Sequence, residues 1–283
     1  MALKGQLELE NLTSDPASSV TTGQMYFNTT TNKVRVYNGT QWEDASSGGG
    51  GGGSGIPTSG LELHLDAADS NSYSGSGSTW SDISGNNRHF NVSASAFVST
   101  GIKHFDFTGQ YRATYGPGYL VDIPSYTNRT IIAFSTIKSL SNNYQTLVRG
   151  KNAHHQVICW DNGFNLGTAT NNWYDSGYDI TSIPNYTTKF NGQFYRISTA
   201  SSPYWAFSLN GNTSNQATLT NSAAGSDQGF CVIGQYHNNT VSTSNTSNAQ
   251  SWGKIHAFLY YSRHISFAEQ TTIYNYYKTA LGI

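Results

Sequence analysis

Short runs in which apolar and polar residues alternate are spread along the chain, with turn residues between them. Lys33–Tyr37 alternates strictly, a pattern typical of a half-buried β-strand. Asn38-Gly39 follows directly and is a strong hairpin signal, because both central residues of such a turn need positive φ. Gln24–Asn28 and Trp42 supply the neighbouring strands. The first 45 residues therefore predict a small β-meander.

Beyond residue 59 the apolar-rich runs are four to eight residues long, and polar turn clusters separate them. No helical pattern intervenes between these runs, so we expect the strands to pair antiparallel. The pattern therefore predicts an all-β fold, an antiparallel jelly-roll sandwich. The predicted strands are Leu61–Leu65, Ile102–Phe107, Tyr119–Ile123, Thr130–Ile137, Gln145–Arg149, Gln156–Trp160, Phe194–Ser198, Trp205–Leu209, Phe230–Gly234 and Lys254–Tyr261.

The end of the chain changes period and predicts one C-terminal helix. Ser266-Phe267-Ala268-Glu269 reads as a capping box, in which the first and fourth side chains cover free amides of the first turn. Apolar residues recur at near-helical spacing up to Leu281, and Gly282 is placed to end the helix. This helix is expected to close the sandwich.

Six consecutive glycines, Gly48–Gly53, mark a boundary in the chain. Glycine at this density has too much backbone entropy to fold, which predicts a flexible tether; a polyglycine ordered within an assembly is the alternative. We predict a first segment at 1–45, a Gly/Ser-rich tether at 46–59 and the sandwich at 60–283. A segment of 45 residues buries too little to be stable alone, so it is expected to rely on oligomerisation or docking.

Charged residues make up 11% of the chain and the net charge is −1. No basic stripe could bind a polyanion, so we expect no nucleic-acid partner. No apolar stretch is long enough for a transmembrane helix, and the first residues lack the apolar region of a secretory signal. Without export, Cys159 and Cys231 are expected to be buried thiols, although pairing across the sandwich stays open.

Six short motifs give residues 60–283 a likeness to a known family. In chain order they are Gly60–Ala67, Trp80–Asn87, His104–Gly109, Trp205–Gly211, Ile233-Gly234 and Trp252–Phe258 with Tyr261-Ser262-Arg263. Together they resemble the laminin-G-like (concanavalin-A-like) jelly-roll domains of viral and bacterial surface proteins. The resemblance implies a sandwich fold and, in several members of the family, glycan binding.

A second likeness lies in residues 19–45. Gly23–Lys33, followed by Val36–Thr40 and Trp42, is similar to a small motif of bacteriophage tail fibres and related appendages. The resemblance implies a virion surface protein that is assembled in the bacterial host cytoplasm, contacts other virion proteins and forms a homo-oligomer, with a trimer favoured. The residues expected to attach it to the virion are Tyr26, Val36, Tyr37 and Trp42.

Glycan-binding members of the laminin-G-like family stack sugars on aromatic rings beside amides and carboxylates. Four aromatic clusters of this sequence have that composition, and the polar residues around Trp160 and Trp173 predict loops there. The residues predicted to bind glycan are Trp160, Trp173, Tyr174, Asp175, Tyr236 and His237. The competing interpretation places Trp80, Trp160, Trp205 and Trp252 in the core, where buried aromatic rings are common.

The resemblance also raises the question of calcium, which some family members hold at a loop edge through oxygen ligands. Asp66, Asp82 and Asn86 lie near the first two motifs and are the candidate ligands. The Asp82–Asn86 stretch is equally well explained as a turn capped by its own side chains. No other cofactor is expected.

Catalysis of glycoside hydrolysis commonly uses two carboxylates that flank the bond. After the tether the chain has two glutamates, Glu62 in the first strand and Glu269 in the capping box. Neither is placed for acid–base work, so the sequence predicts a protein that is not an enzyme. Three functions follow from these observations: a phage appendage that adheres to host-surface polysaccharide, a structural decoration without glycan binding, and a depolymerase.

Overall fold

The computed structural model of the protein divides into two units, which are residues 1–58 and residues 59–283. The parts of the chain that the structure describes are residues 9–37, 39–44, 55–108, 113–115, 123–139, 144–149, 155–160, 164–170, 172–199, 204–219, 229–230, 232–235 and 251–283. Tyr236 and His237, the polyglycine run and Cys231, about which the sequence makes predictions, lie outside these residues.

The smaller unit is a four-stranded sheet in the order β1-β2-β3-β4. Its strands are Glu10–Leu12 (β1), Met25–Asn28 (β2), Lys33–Tyr37 (β3) and Trp42–Asp44 (β4). The last three pair antiparallel, as the alternation and the Asn-Gly turn predict, whereas β1 pairs with β2 in parallel. The parallel pairing became possible because 12 residues separate the two strands, Thr13–Gln24, enough to carry the chain back across the sheet.

Tyr26 and Trp42 form the centre of this small sheet. Their rings meet edge to face with centroids 4.9 Å apart, and Tyr26 is 1% exposed. The Tyr26 hydroxyl donates a hydrogen bond to Asp15, which also pairs with Arg35 at 2.9 Å. Trp42 Nε1 donates to the carbonyl of Pro16 at 2.9 Å. These contacts tie the irregular segment after β1 onto the sheet.

Within its described residues, the larger unit contains sixteen strands, two short 3₁₀ turns and one α-helix. The strands are Leu61–Asp66 (β5), Thr79–Trp80 (β6), Phe90–Asn91 (β7), Phe97–Val98 (β8), His104–Asp106 (β9), Ala113–Tyr115 (β10), Asn128–Ser135 (β11), Gln145–Arg149 (β12), His155–Trp160 (β13), Asn165–Thr170 (β14), Asn172–Asp179 (β15), Asn191–Ser198 (β16), Tyr204–Leu209 (β17), Ala217–Leu219 (β18), Val232–Ile233 (β19) and Lys254–Tyr261 (β20). The 3₁₀ turns are Ala94–Ala96 and Ile180–Ser182, and the helix α1 is Phe267–Leu281.

These strands form two sheets that face each other. The sheet we call the helix sheet has the order β18-β17-β16-β11-β20-β9-β8, and β5 pairs with β20 beside β9. The sheet we call the opposite sheet has the order β15-β14-β13-β12-β19-β10-β7-β6. Every pairing between the named strands of this unit is antiparallel. The predicted all-β antiparallel sandwich with one C-terminal helix is confirmed.

The core lies between the two sheets and is rich in aromatic rings. Trp80, Trp205 and Trp252 are completely buried, which confirms their predicted place in the core. Trp252 Nε1 donates a hydrogen bond to the Ser135 hydroxyl at 3.0 Å, which satisfies the polar atom of this buried indole. Among the described residues, no helix is long and apolar enough to cross a membrane.

Helix α1 covers the outer face of the helix sheet. Ile131 and Ala133 of β11 point into the core, so by alternation Ile132 and Phe134 point outward, yet both are fully buried. The Phe134 ring lies 4.2 Å from that of Tyr277, on the helix. The C-terminal helix therefore gives the sandwich a second apolar layer.

The predicted capping box holds the start of α1. The Ser266 hydroxyl accepts from the Glu269 amide at 3.2 Å, and the Glu269 carboxylate accepts from the Ser266 amide at 2.8 Å. Gly282 ends the helix in the left-handed conformation with φ of 62°, as predicted. Glu269 also pairs with Arg263, and these bonds, together with those from Ser266, lower its pKa to about 2.

We expect the contribution of Glu269 to stability to depend on pH. Its pKa in the folded protein lies below the ordinary value of 4.5, so its contribution is complete above about pH 4.5 and is lost as the pH falls toward 2. Glu269→Gln should lower the free energy of unfolding by roughly 1 kcal/mol at pH 7, and by much less near pH 2. Thermal unfolding of both proteins across this pH range measures the difference.

Lys278→Gln, in the last turn of the same helix, is the control and should follow the wild-type pH profile. A stability difference for Glu269→Gln that stays constant from pH 7 to pH 2 would contradict the expectation.

Candidate functional site

The segment that contains Trp173 is a strand, and its interpretation as a loop was wrong. Asn172–Asp179 forms β15, the edge of the opposite sheet, and it pairs with β14 over its length. Asn and Asp suggested a loop, but pairing with β14 and the strand preference of Trp and Tyr outweigh their turn tendency. Trp160 also belongs to a strand, as the last residue of β13, and its backbone pairs with that of Asn165. Its side chain is not among those that the structure describes.

The strand alternation separates Tyr174 from Trp173 and Asp175. Tyr174 packs against the core, whereas Trp173 and Asp175 are paired with Ala169 and Gly167 and so lie on the other face. Trp173 is half-buried and Asp175 is exposed. Of the three consecutive residues predicted to bind glycan, the structure therefore brings two to the outer face and turns one inward.

Gly167 lets the indole of Trp173 lie close to the sheet. A Cβ atom at this position would stand 2.7 Å from Cη2 of Trp173 and 2.1 Å from the carbonyl oxygen of Tyr174. Any side chain here would displace both the ring and the neighbouring strand. The ring of Tyr144 lies 6.4 Å from that of Trp173, inclined by 52°.

Hydrogen bonds hold the carboxylate of Asp175 beside this aromatic pair. Asn165 Nδ2 donates to Asp175 Oδ2 at 2.9 Å, and the Gly177 amide donates to Oδ1 at 2.7 Å. Neither Asn165 nor Tyr144 was predicted from the sequence, because each comes from a different strand or its flank. We call Tyr144, Asn165, Trp173 and Asp175 the edge surface.

The three candidate calcium ligands take part in turns. Asp82 accepts hydrogen bonds from the amides of His64, Ser84 and Arg88 at 2.9 to 3.0 Å. Asn86 Nδ2 donates to the carbonyls of Leu61 and Glu62. In the part of the chain that the structure describes, no group of three or more His, Cys, Asp or Glu residues could hold a metal.

Asp66, the remaining candidate, belongs to a buried polar network beneath α1. Its carboxylate accepts from the Ala68 amide at 2.7 Å and from the Tyr277 hydroxyl at 3.1 Å. The same hydroxyl lies 2.8 Å from His64 Nε2. Burial lowers the pKa of His64 and raises that of Tyr277, so the uncharged forms of both are favoured beside the carboxylate.

The residues predicted to attach the protein to the virion divide into one buried and three half-buried side chains. Tyr26 is inside the small sheet, and its hydroxyl is engaged by Asp15 and Asn28. Val36, Tyr37 and Trp42 are half-buried. The structure thus gives Tyr26 an internal role, and leaves the other three partly accessible.

Both glutamates of the larger unit are held by arginine. Burial acts to raise the pKa of Glu62, but hydrogen bonds from Tyr126 and Arg88 outweigh it and hold the pKa below its usual value. Tyr126 donates to Glu62 at 2.8 Å. Glu269 is engaged with Arg263 and Ser266 as described above.

Solved structures with the same fold include proteins bound to sugars or their analogues. One is a sialidase of Trypanosoma rangeli in complex with a difluorinated nononic acid. It matches with 16% identity and a TM-score of 0.52, over 81% of this chain and 34% of the sialidase chain. Domain 4 of AbnA, an extracellular arabinanase from Geobacillus stearothermophilus solved with arabinotriose, matches with 17% identity and a TM-score of 0.50, over 75% of this chain and 97% of that domain.

A mutant of HCR/D matches with 14% identity and a TM-score of 0.53, over 78% of this chain and 52% of that one. The chain spans about one third of the length of the sialidases. At these identities the likeness establishes the fold alone. No family model matches the chain, and no curated protein matches it in sequence.

These comparisons correct the prediction that the protein is not an enzyme. Solved structures that share the fold include sialidases, which are enzymes, so the class of fold gives no ground for that exclusion. The sequence argument was too narrow, because it considered only glutamates that could act as the pair of catalytic carboxylates. Glycosidases with a tyrosine nucleophile do not need the usual pair of carboxylates.

We expect Asp82 to stabilise a turn rather than to hold calcium. Asp82→Ala leaves three amides without their acceptor and should lower the free energy of unfolding by about 2 kcal/mol, with Asp82→Asn less damaging. Melting temperatures in calcium chloride and in EDTA should agree for each protein. Stabilisation of the wild type by calcium, but not of Asp82→Ala, would instead make Asp82 a metal ligand.

Proposed function

We propose that this protein is a surface appendage of a bacteriophage virion, and that its larger unit adheres to polysaccharide on the host surface. The observation that carries the adhesion is the edge surface. There an aromatic pair, a carboxylate and an amide from three separate segments converge on the outer face of one sheet edge.

The chemistry of the edge surface suits a sugar. A sugar ring has an apolar C–H face, which can pack on the indole of Trp173, and hydroxyl groups at its rim, which can hydrogen-bond to Asp175 and Asn165. The Asn165–Asp175 hydrogen bond fixes both polar groups before a ligand arrives, so less entropy is lost on binding. An open sheet edge also accommodates a chain of sugars, whereas an enclosed pocket would admit only its end.

One feature of the chain supports the virion setting. The motif that runs from Gly23 to Trp42 resembles tail-fibre segments, and in the structure it forms β2 to β4 of the smaller unit. Under this proposal that unit joins other virion proteins and forms a homotrimer. The protein would be assembled in the host cytoplasm and displayed on the virion, with the sandwich presented to the host.

Trp173→Ala should weaken binding to polysaccharide by about tenfold to a hundredfold, because the stacking surface is lost. The measurement is binding of the full chain to an array of purified bacterial capsular polysaccharides and lipopolysaccharides. Because Trp173 is half-buried, the variant should also melt slightly earlier. Tyr204→Ala, which removes a half-buried ring from the helix sheet, is the matched control and should keep its binding.

Two results would contradict adhesion through the edge surface. One is undiminished binding by Trp173→Ala, and the other is equal loss in Trp173→Ala and Tyr204→Ala. Absence of binding to every polysaccharide on the array would favour the purely structural decoration.

Oligomerisation through the smaller unit can be measured directly. The full chain should sediment as a trimer, whereas residues 59–283 alone should sediment as a folded monomer with the circular dichroism of a β-protein. A full chain that is monomeric at all concentrations, or a trimer that persists without residues 1–58, would assign oligomerisation elsewhere.

A further inference from the structure

A pocket lies beside the last turn of helix α1, on the other sheet from the edge surface. It has a volume of about 420 Å³ and is shared between the end of β5, the segment after it, strand β20 and the helix. The residues that matter for its chemistry are Asp66, Asp69, His256, Tyr276 and Tyr277. The sequence singles out Asp66 alone, as a candidate calcium ligand, because 211 positions separate it from Tyr277.

His256 forms part of the pocket floor and is only 2% exposed. Its Nδ1 lies 2.6 Å from the carbonyl oxygen of Lys103, a contact that requires the proton to be on Nδ1. In the neutral ring, Nε2 is therefore an acceptor. Among the described residues nothing hydrogen-bonds to Nε2, and Asp66 Oδ1 stands 4.0 Å from it.

Asp66 Oδ1 already accepts from the amides of Ala68 and Asp69 at 2.7 and 3.3 Å, so a donor between the two atoms would hydrogen-bond to Nε2 and meet Oδ1 mainly through charge. A nitrogen about 2.8 Å from each atom would fit in the 4.0 Å gap, and an ammonium group there would place its charge beside the carboxylate. A hydroxyl group could hydrogen-bond to Nε2, but it would bring no positive charge to the carboxylate. The floor of the pocket therefore favours a positively charged donor.

The rim of the pocket adds a carboxylate and an aromatic ring. Asp69 Oδ1 accepts from the amide and the side chain of Asn71, whereas Oδ2 accepts no hydrogen bond from the described residues. The Tyr276 side chain is 39% exposed and meets Tyr277 edge to face at 4.9 Å. Burial raises the pKa of Tyr276, and the charges of Asp66 and Asp69 add to this effect.

The electrostatics of the pocket favour a positive charge. Its lining includes two aspartates and, among the described residues, no lysine or arginine. The C-terminal end of α1 contributes the negative end of the helix dipole. The Tyr276 ring offers a cation–π contact and a flat apolar face.

We propose that this pocket binds an amino sugar through its protonated primary amine. The ammonium group would lie between His256 and Asp66, the sugar ring would pack on Tyr276, and Asp69 would accept a hydroxyl group. An acetylated amino sugar cannot carry the charge, and an acidic sugar would be repelled. The site involves no residue of the edge surface, so it stands independently of the function proposed above.

Titration of the full chain with glucosamine, glucose and N-acetylglucosamine, followed by ¹H–¹⁵N NMR, tests this proposal. Glucosamine should bind about tenfold or more tightly than the other two sugars. Asp69→Asn, which keeps an acceptor for Asn71, and Tyr276→Ala, at an exposed position, should each weaken glucosamine binding by about tenfold. Trp173→Ala should leave it unchanged.

Three outcomes would overturn the proposal. The first is equal affinity for the three sugars, and the second is full binding by a folded Asp69→Asn, Tyr276→Ala double variant. The third is equal binding of glucosamine and Nα-acetyl-lysine methylamide, which would show that the pocket recognises the amine and not the sugar ring. Because Tyr276 is exposed, its single variant keeps the test valid even if substitution of Asp69 destabilises the fold.

Discussion

Burial of strands β11 and β20 on both faces is the constraint on which the rest of the larger unit depends. Seven of the eight residues in each strand are buried, so one face needs the opposite sheet and the other needs a cover of its own. Helix α1 supplies that cover, with Tyr277 against Phe134. Without the helix, an apolar sheet face would be exposed to water, at a cost of roughly 25 cal/mol for each Å².

This way of covering the sheet also creates the polar chemistry of the helix side. A tyrosine pressed against the sheet must satisfy its hydroxyl, and Tyr277 does so between Asp66 and His64. The buried carboxylate of Asp66 then needs further partners, which the amides of Ala68 and Asp69 provide. The turn after β5 and the end of α1 are therefore fixed relative to each other, and the pocket lies where they meet.

The edge surface arises from a different feature, the end of a sheet. An edge strand has one row of unpaired backbone groups and one exposed face, and proteins usually protect such edges with polar or charged residues. Here β15 carries Asp175, bonded to Asn165. The same polar groups that protect the edge from association with other strands make it suitable for a polar ligand beside Trp173.

The sequence by itself determined the class of the fold, the capping box and end of α1, and the place of three tryptophans in the core. These follow from local periodicity and turn chemistry, which need no knowledge of distant residues. It could not show that Asn172–Asp179 is an edge strand, since its polar composition fits a loop until β14 is placed beside it. Nor could it separate Tyr174 from Trp173, or bring Asp66 to Tyr277. Only the tertiary structure decided these, because the side that a residue faces and the residues it meets depend on strand register and helix packing between positions far apart in the chain.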